Sequence, residues 1–200
     1  KRTLRNEVFP YWQGKSLEET FLSRLNPETA NILVDTGIID NDSKWRNAVG
    51  EVTADYQDVI FKKGFGGLQA EALAHLAELE PVTVEAMEKI EFYRAAVLVS
   101  EGIVTLANRY AEQAEQLART EQDAGRKAEL LAIARNCRRV PEQPPTTFYE
   151  AIQMVWFTQL GSILSENSLA LNLGRFDQYM HPYFAADIEK GLLTKEQAQE

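Results

Sequence analysis

Arg46 and Glu51 stand five positions apart in the stretch SKWRNAVGE, inside a segment with no sustained hydrophobic period. A guanidinium is planar and permanently charged, so it can grip a carboxylate, sulfonate or phosphate through two parallel hydrogen bonds. A carboxylate can accept a hydrogen bond from a hydroxyl or pair with a cationic group. The plainer alternative stays open: Arg46 pairs with Glu51 or Asp42, and Glu51 is otherwise a loop residue without a ligand. Trp45 either lines a pocket or packs as a core aromatic. The remaining reactive residue types are sparse. His75 and His181 have no His or Cys partner at metal-ligand spacing. Gly64, Gly66 and Gly67 beside Lys62 and Lys63 have the composition of a phosphate cradle, but no strand precedes them and neither nucleotide fingerprint fits. Close helix packing is the better account of those glycines. Arg135, Arg138 and Arg139 read as a solvated helix end.

These residues sit in a chain of 200 residues that is 44% apolar and 26% charged. That length can bury a sizeable core, and the composition excludes disordered, collagen-like and disulfide-rich classes. A formal net charge of -9 argues against nucleic-acid binding, which needs clustered cations on a basic surface. Cys137 is the single cysteine, so no internal disulfide forms, and a reducing compartment is the simplest setting. The opening KRTLRNEVFPYW lacks the apolar run of a signal peptide. No window reaches the roughly 18 to 20 apolar residues of a membrane span; the nearest, Phe148 to Leu164, is broken by Glu150, Gln153, Gln159 and Gly161. The chain has no initiator Met and closes on what reads as the opening of a helix, as a piece of a longer protein would.

The elements that must position the charged pair are mostly helical. EVFPYWQGKSLEETFLSRL turns at Pro10 and Gly14, then offers Ser16 as N-cap with Glu19 three residues on, and runs helically to about Leu25. Asn26 and Pro27 open a second helix that Gly37 closes. From Asp55 a stripe of Val59, Ile60, Phe65, Leu68, Ala72, Leu76 and Leu79 follows helical spacing, interrupted by the glycines. VEAMEKIEFYRAAVLVSEGIVTLANRYAEQAEQLARTE and AGRKAELLAIARNCRRVP predict an antiparallel helix pair across a short polar link, with Pro141 ending the second. Pro144 and Pro145 then fix the entry of an almost wholly apolar helix from Phe148, capped by Thr146 or Thr147. A helix apolar all round is expected to be buried on all sides. The pattern predicts no convincing strand, and a mostly α chain.

Four blocks in order resemble the glycyl radical enzymes, the pyruvate formate-lyase-like family. They are EVFPYWQGKS, VGEVTADYQDVIFKKGFGGL, LLAIARNCRRVP, and VPEQPPTTFYEAIQMVWFTQLGS followed by GRFDQYMHPYF. The resemblance implies that residues 1–200 are part of a single pyruvate formate-lyase-like domain. They would form the N-terminal to central helical part of a ten-stranded α/β barrel, with two facing finger loops inside it. Residues 1–56 would be an irregular and helical pocket-wall segment, 57–143 amphipathic helices, and 144–200 a buried helix, a turn and a following helix. The barrel would wall in the apolar helix.

In that family one finger loop carries the radical-bearing Gly and the other the catalytic Cys. This chain has neither a Gly-Cys-x-Glu nor an Arg-Val-x-Gly-Tyr segment. Cys137, on the ARNCRRVP helix, is therefore expected to be a buried structural thiol, and no catalytic residue is assigned here. The pair Gly50-Glu51 stands where the family has Gly-His, and the resemblance implies that the stretch around 43–56 walls the pocket. Arg46, Glu51, Trp45 and Ser168 are the candidate substrate-binding residues; Arg175 and Asp177 are expected to lock the turn after Ser168. The implied activity is radical elimination from a small hydroxylated substrate, with a hydroxy-sulfonate such as isethionate first. Diol, glycerol or hydroxyproline dehydration, choline cleavage, a formate acetyltransferase-like activity and a helical binding or scaffold module without catalysis remain open. No cofactor is expected on this chain. The resemblance implies a glycyl radical elsewhere in the polypeptide, installed by a radical-SAM activating enzyme. It also implies the remainder of the polypeptide as a packing partner, a homodimer, and a cytoplasmic location with a bacterial microcompartment as the alternative. Neither nucleic acid nor membrane is an expected partner.

Overall fold

A computed structural model of the chain describes residues 1–35, 51–166 and 170–199. The described residues form two compact units, Lys1–Val52 with Ser162–Asn172, and Thr53–Gly161 with Leu173–Glu200.

The first unit opens with a wide π-helical turn, Leu4–Val8, continued by α1, Phe9–Trp12. Pro10 lies in the first turn of α1, not at a bend. The bend falls at Gly14, whose φ of 75° suits a glycine. Helix α2, Leu17–Ser23, starts in a complete capping box: the Ser16 hydroxyl accepts from the Glu19 amide, and the Glu19 carboxylate accepts from Ser16 in return. Helix α3, Pro27–Asp35, begins where the Asn26 side chain accepts from the Glu28 amide. Gly37 lies outside the described residues. Contrary to the expectation of no strand, β1, Glu51–Thr53, pairs with β2, Ala170–Asn172. Three residues are too few for a periodic signal, and the partners are more than a hundred positions apart.

The second unit is helical. Asp55 caps a π-helical turn, Tyr56–Ile60, by accepting from the Asp58 amide, and α4, Phe61–Glu78, continues from it. The expected stripe is broken at Gly64, which adopts φ 62°, ψ 174°. Only glycine is at ease there, and the kink turns two amides outward. Phe65 donates to the Pro141 carbonyl and Gly66 to the Glu142 carbonyl, each at 2.9 Å. A Cβ on Gly64 would meet the backbone of Glu142 and Gln143. The glycines thus serve close packing, as their sequence context suggested.

Helices α5, Val84–Thr120, and α6, Ala124–Arg139, form the antiparallel pair. The buried face of α5 is a line of small residues, Ala107, Ala111, Ala114 and Ala118, which lets α6 approach with Leu130, Ala134 and Cys137. Arg138 and Arg139 are more than a solvated helix end. Arg138 reaches across to Asn108 and Glu115 of α5, and Arg139 donates to the Pro144 carbonyl and pairs with Glu150.

Helix α7, Phe148–Glu166, is capped by both threonines: Thr147 accepts from the Glu150 amide, and Glu150 accepts from the Thr146 amide and hydroxyl. A carboxylate from far along the chain adds to this cap. Asp187, on α8, Phe176–Glu189, accepts from the Phe148 amide at 2.7 Å. Helix α7 is not buried all round. Ala151, Met154, Val155 and Phe157 join the core, and Gly161 lies against Ile103, whereas Tyr149, Ile152, Trp156 and Ile163 are exposed, Trp156 by 59%. One face of an apolar helix finds α5 here; the expected wall on its other face is not among the described residues. A short α9, Lys195–Gln199, closes the described chain.

Candidate functional site

The expected pocket stretches are the one before Tyr56 and the one before Arg175. Pairing of β1 with β2 brings Glu51 and Val52 beside Ala170–Asn172, so the two stretches share one strand pair. No composition signal foretold this, because strands of three residues carry no periodic pattern.

An aromatic cluster lies just beyond the strands. Tyr56, three residues past β1, stacks on Tyr179 with ring centroids 5.1 Å apart and 26° between planes. Phe61 meets both rings edge to face, at 6.1 Å from Tyr56 and 5.5 Å from Tyr179, and Phe176 meets Tyr179 at 5.7 Å. Such pairs add about 0.5–1.5 kcal/mol each beyond burial. Both tyrosines are buried, so each hydroxyl needs a partner. Gln159 donates to the Tyr56 hydroxyl, and Tyr179 donates to the Leu173 carbonyl, each at 2.8 Å. Burial, then the neighbouring Tyr56, push the Tyr179 hydroxyl up to about 12. Burial also raises Tyr56 and Tyr183. These are groups held neutral, suited to positioning and not to proton transfer near neutral pH.

The turn behind β2 is tight. Gly174 has φ 61°, and a Cβ there would sit 3.0 Å from the Thr53 methyl at the end of β1. Arg175 and Asp177 face each other at 3.9 Å, both largely exposed, which is worth little. The expected pairing of Arg175 with Asp177 is present, and Tyr179 and Gly174 add a closer hold on the same turn. The cluster of aromatics in GRFDQYMHPYF was the available signal, but which hydroxyl reaches which carbonyl is not written in spacing.

Of the four candidate binding residues, Glu51 has its backbone on β1, while Trp45, Arg46 and Ser168 lie outside the described residues. Cys137 is buried, 4% exposed, and burial pushes its thiol up, so it does not fit a radical relay or a nucleophile. Among the described residues no cluster of His, Cys, Asp or Glu could hold a metal ion, and His75 stacks on Tyr93 at 4.9 Å. No helix among the described residues is long and apolar enough to cross a membrane.

A chain so built, with its core helices capped at the expected places, matches the Pyruvate formate lyase-like family over residues 1–200, and it belongs to that family. It is 37% identical over 208 residues to the isethionate sulfite-lyase of Oleidesulfovibrio alaskensis, covering 100% of this chain and 25% of that protein. Among solved structures it resembles the hydroxyproline dehydratase of Clostridioides difficile, with a TM-score of 0.81 at 32% identity, covering 100% of this chain and 25% of that one. A structure concerned with 1,2-propanediol dehydration in Roseburia inulinivorans is also similar, with a TM-score of 0.80 at 35% identity over 96% of this chain and 24% of that one. The chain thus spans about a quarter of the length of the curated relatives it matches. The mostly helical architecture agrees with the expected N-terminal part of the glycyl radical enzyme barrel.

Proposed function

We propose that this chain is the N-terminal to central portion of a single-domain glycyl radical lyase that breaks a C–X bond of a small hydroxylated substrate, with isethionate as the first substrate. The observation that carries the proposal is the 37% identity to an isethionate sulfite-lyase along the whole chain. The glycyl radical, on a residue outside this chain and installed by a radical-SAM activating enzyme, supplies hydrogen abstraction. This chain's own residues bind and orient. Arg46 holds the sulfonate through its planar fork. Glu51, on β1, accepts from the substrate hydroxyl, and Trp45 and Ser168 line the wall that keeps water from a reactive intermediate. The assembled protein is a homodimer in the cytoplasm or in a bacterial microcompartment, with the remainder of the polypeptide covering the exposed face of α7.

A second reading, dehydration of hydroxyproline or a diol, is favoured by the structural likeness to proteins connected with those substrates. The test is a side-by-side assay of isethionate, hydroxyproline, propanediol, glycerol and choline with the activated full-length protein and its Arg46→Lys variant. Loss of one charge-assisted contact costs roughly 1.5 to 3 kcal/mol, so kcat/KM for isethionate falls about ten- to a hundredfold while neutral diols are spared. Turnover of a diol or choline alone, with Arg46→Lys harmless, assigns Arg46 to a salt bridge and rejects the sulfonate.

A further inference from the structure

The strand pair that carries Glu51 is too short to specify itself. A two-stranded ribbon is marginal in water, and here each strand has three residues. Register nevertheless matters, because a slip by one residue sends every side chain to the opposite face. Something outside the strands must hold the alignment.

We infer that Tyr179 is a positioning residue that sets the register of this strand pair. Its ring is fixed on three sides by Tyr56, Phe61 and Phe176, so its hydroxyl has one place to be. From that place it donates to the carbonyl of Leu173, the residue immediately after β2. The same stack holds Tyr56, which follows β1 by three residues, so one aromatic cluster grips the chain just beyond both strands. Gly174 completes the clasp. Its positive φ disfavours a side chain, and a Cβ there would press on the Thr53 methyl at 3.0 Å. Tyr179 acts through the backbone, by fixing the alignment in which β1 and β2 pair.

The consequence for turnover rests on the proposed role of Glu51 as a pocket residue; the consequence for the strands does not. Tyr179→Phe keeps the stacked ring and removes only the hydroxyl, and Gly174→Ala disturbs the turn from the other side. Tyr183→Phe, in the same cluster with its ring against Phe61, is the control. In the activated full-length protein, amide exchange over residues 51–53 and 170–172 is expected to speed up by about two- to tenfold in Tyr179→Phe, the range of one lost hydrogen bond. Gly174→Ala shifts in the same direction and Tyr183→Phe does not. KM for the turned-over substrate rises by a similar factor with kcat and glycyl radical content unchanged, a split that general destabilisation does not produce. Unchanged exchange at both strands in Tyr179→Phe and Gly174→Ala overturns the inference, whatever the substrate proves to be. Faster exchange with unchanged KM upholds the clasp and rejects Glu51 as a pocket residue.

Discussion

Replacing Gly64 with Ala tests whether the kink in α4 is a requirement of packing or an accident of composition. At φ 62°, ψ 174° an alanine is strained before it touches anything, by about 1–3 kcal/mol. Its methyl would then meet the main chain of residues 142 and 143, with the Gln143 carbonyl carbon at 2.9 Å. Main chain cannot swing aside as a side chain can. Relief requires α4 to move off the segment after α6, which stretches the bonds from Phe65 to Pro141 and from Gly66 to Glu142. Two such bonds are worth about 0.5–1.5 kcal/mol each. The sum is a loss of roughly 2–6 kcal/mol, a large share of the 5–15 kcal/mol that usually holds a domain together. At about 2–4 °C per kcal/mol for a chain of this size, Tm should fall by roughly 4–24 °C. Gly102→Ala is the matched control, since Gly102 lies within α5 with nothing within 4 Å of a new Cβ. It should stabilise by up to about 1 kcal/mol through helix propensity. Calorimetry or urea unfolding of both variants decides the matter. A Gly64→Ala protein within about 0.5 kcal/mol of the parent, the usual spread of harmless surface changes, refutes the reasoning.

Cys137 should resist a thiol reagent at pH 8 in the folded protein and react on unfolding in urea, because burial both hides it and raises its thiol; rapid labelling of the native chain would contradict this. Asp187→Ala should cost roughly 1.5–3 kcal/mol by urea titration, the value of a hydrogen bond to a charged group, since it removes the buried acceptor of the Phe148 amide. Tyr179 makes stability fall in alkali. Its folded value of about 12 lies above the ordinary 10, so its contribution is complete below pH 10 and is lost as pH rises towards 12. In Tyr179→Phe the ultraviolet titration should lose a phenolate step near pH 12, and a spectrum unchanged in that range would be inconsistent with the assignment.

The helix starts were legible because a cap is a local device. Ser16 with Glu19, Asn26 with Pro27, and the threonines with Glu150 each satisfy amides within four residues, so neighbouring letters contain the whole interaction. The α5–α6 pair was legible for a similar reason, since a short link leaves an amphipathic helix little choice of neighbour. The lone cysteine and the four family blocks were likewise on the page. Legibility failed where one residue type permits several partners. Arg138 and Arg139 looked like solvent-facing cations, yet they reach Asn108 and Glu115 and the Pro144 carbonyl. Of the proposed binding residues, only the backbone of Glu51 falls among those described.

What the amino-acid order determined by itself was the family, the helices and most of the places where they begin. Tertiary structure alone decided that the Gly64 kink receives the segment after α6, that Asp187 caps a helix 39 positions away, and that Tyr179 closes the turn behind β2. Those contacts join residues whose separation along the chain carries no periodic signal. They form only after packing has met the entropy of closing long loops, and at that stage position in space outweighs position in sequence.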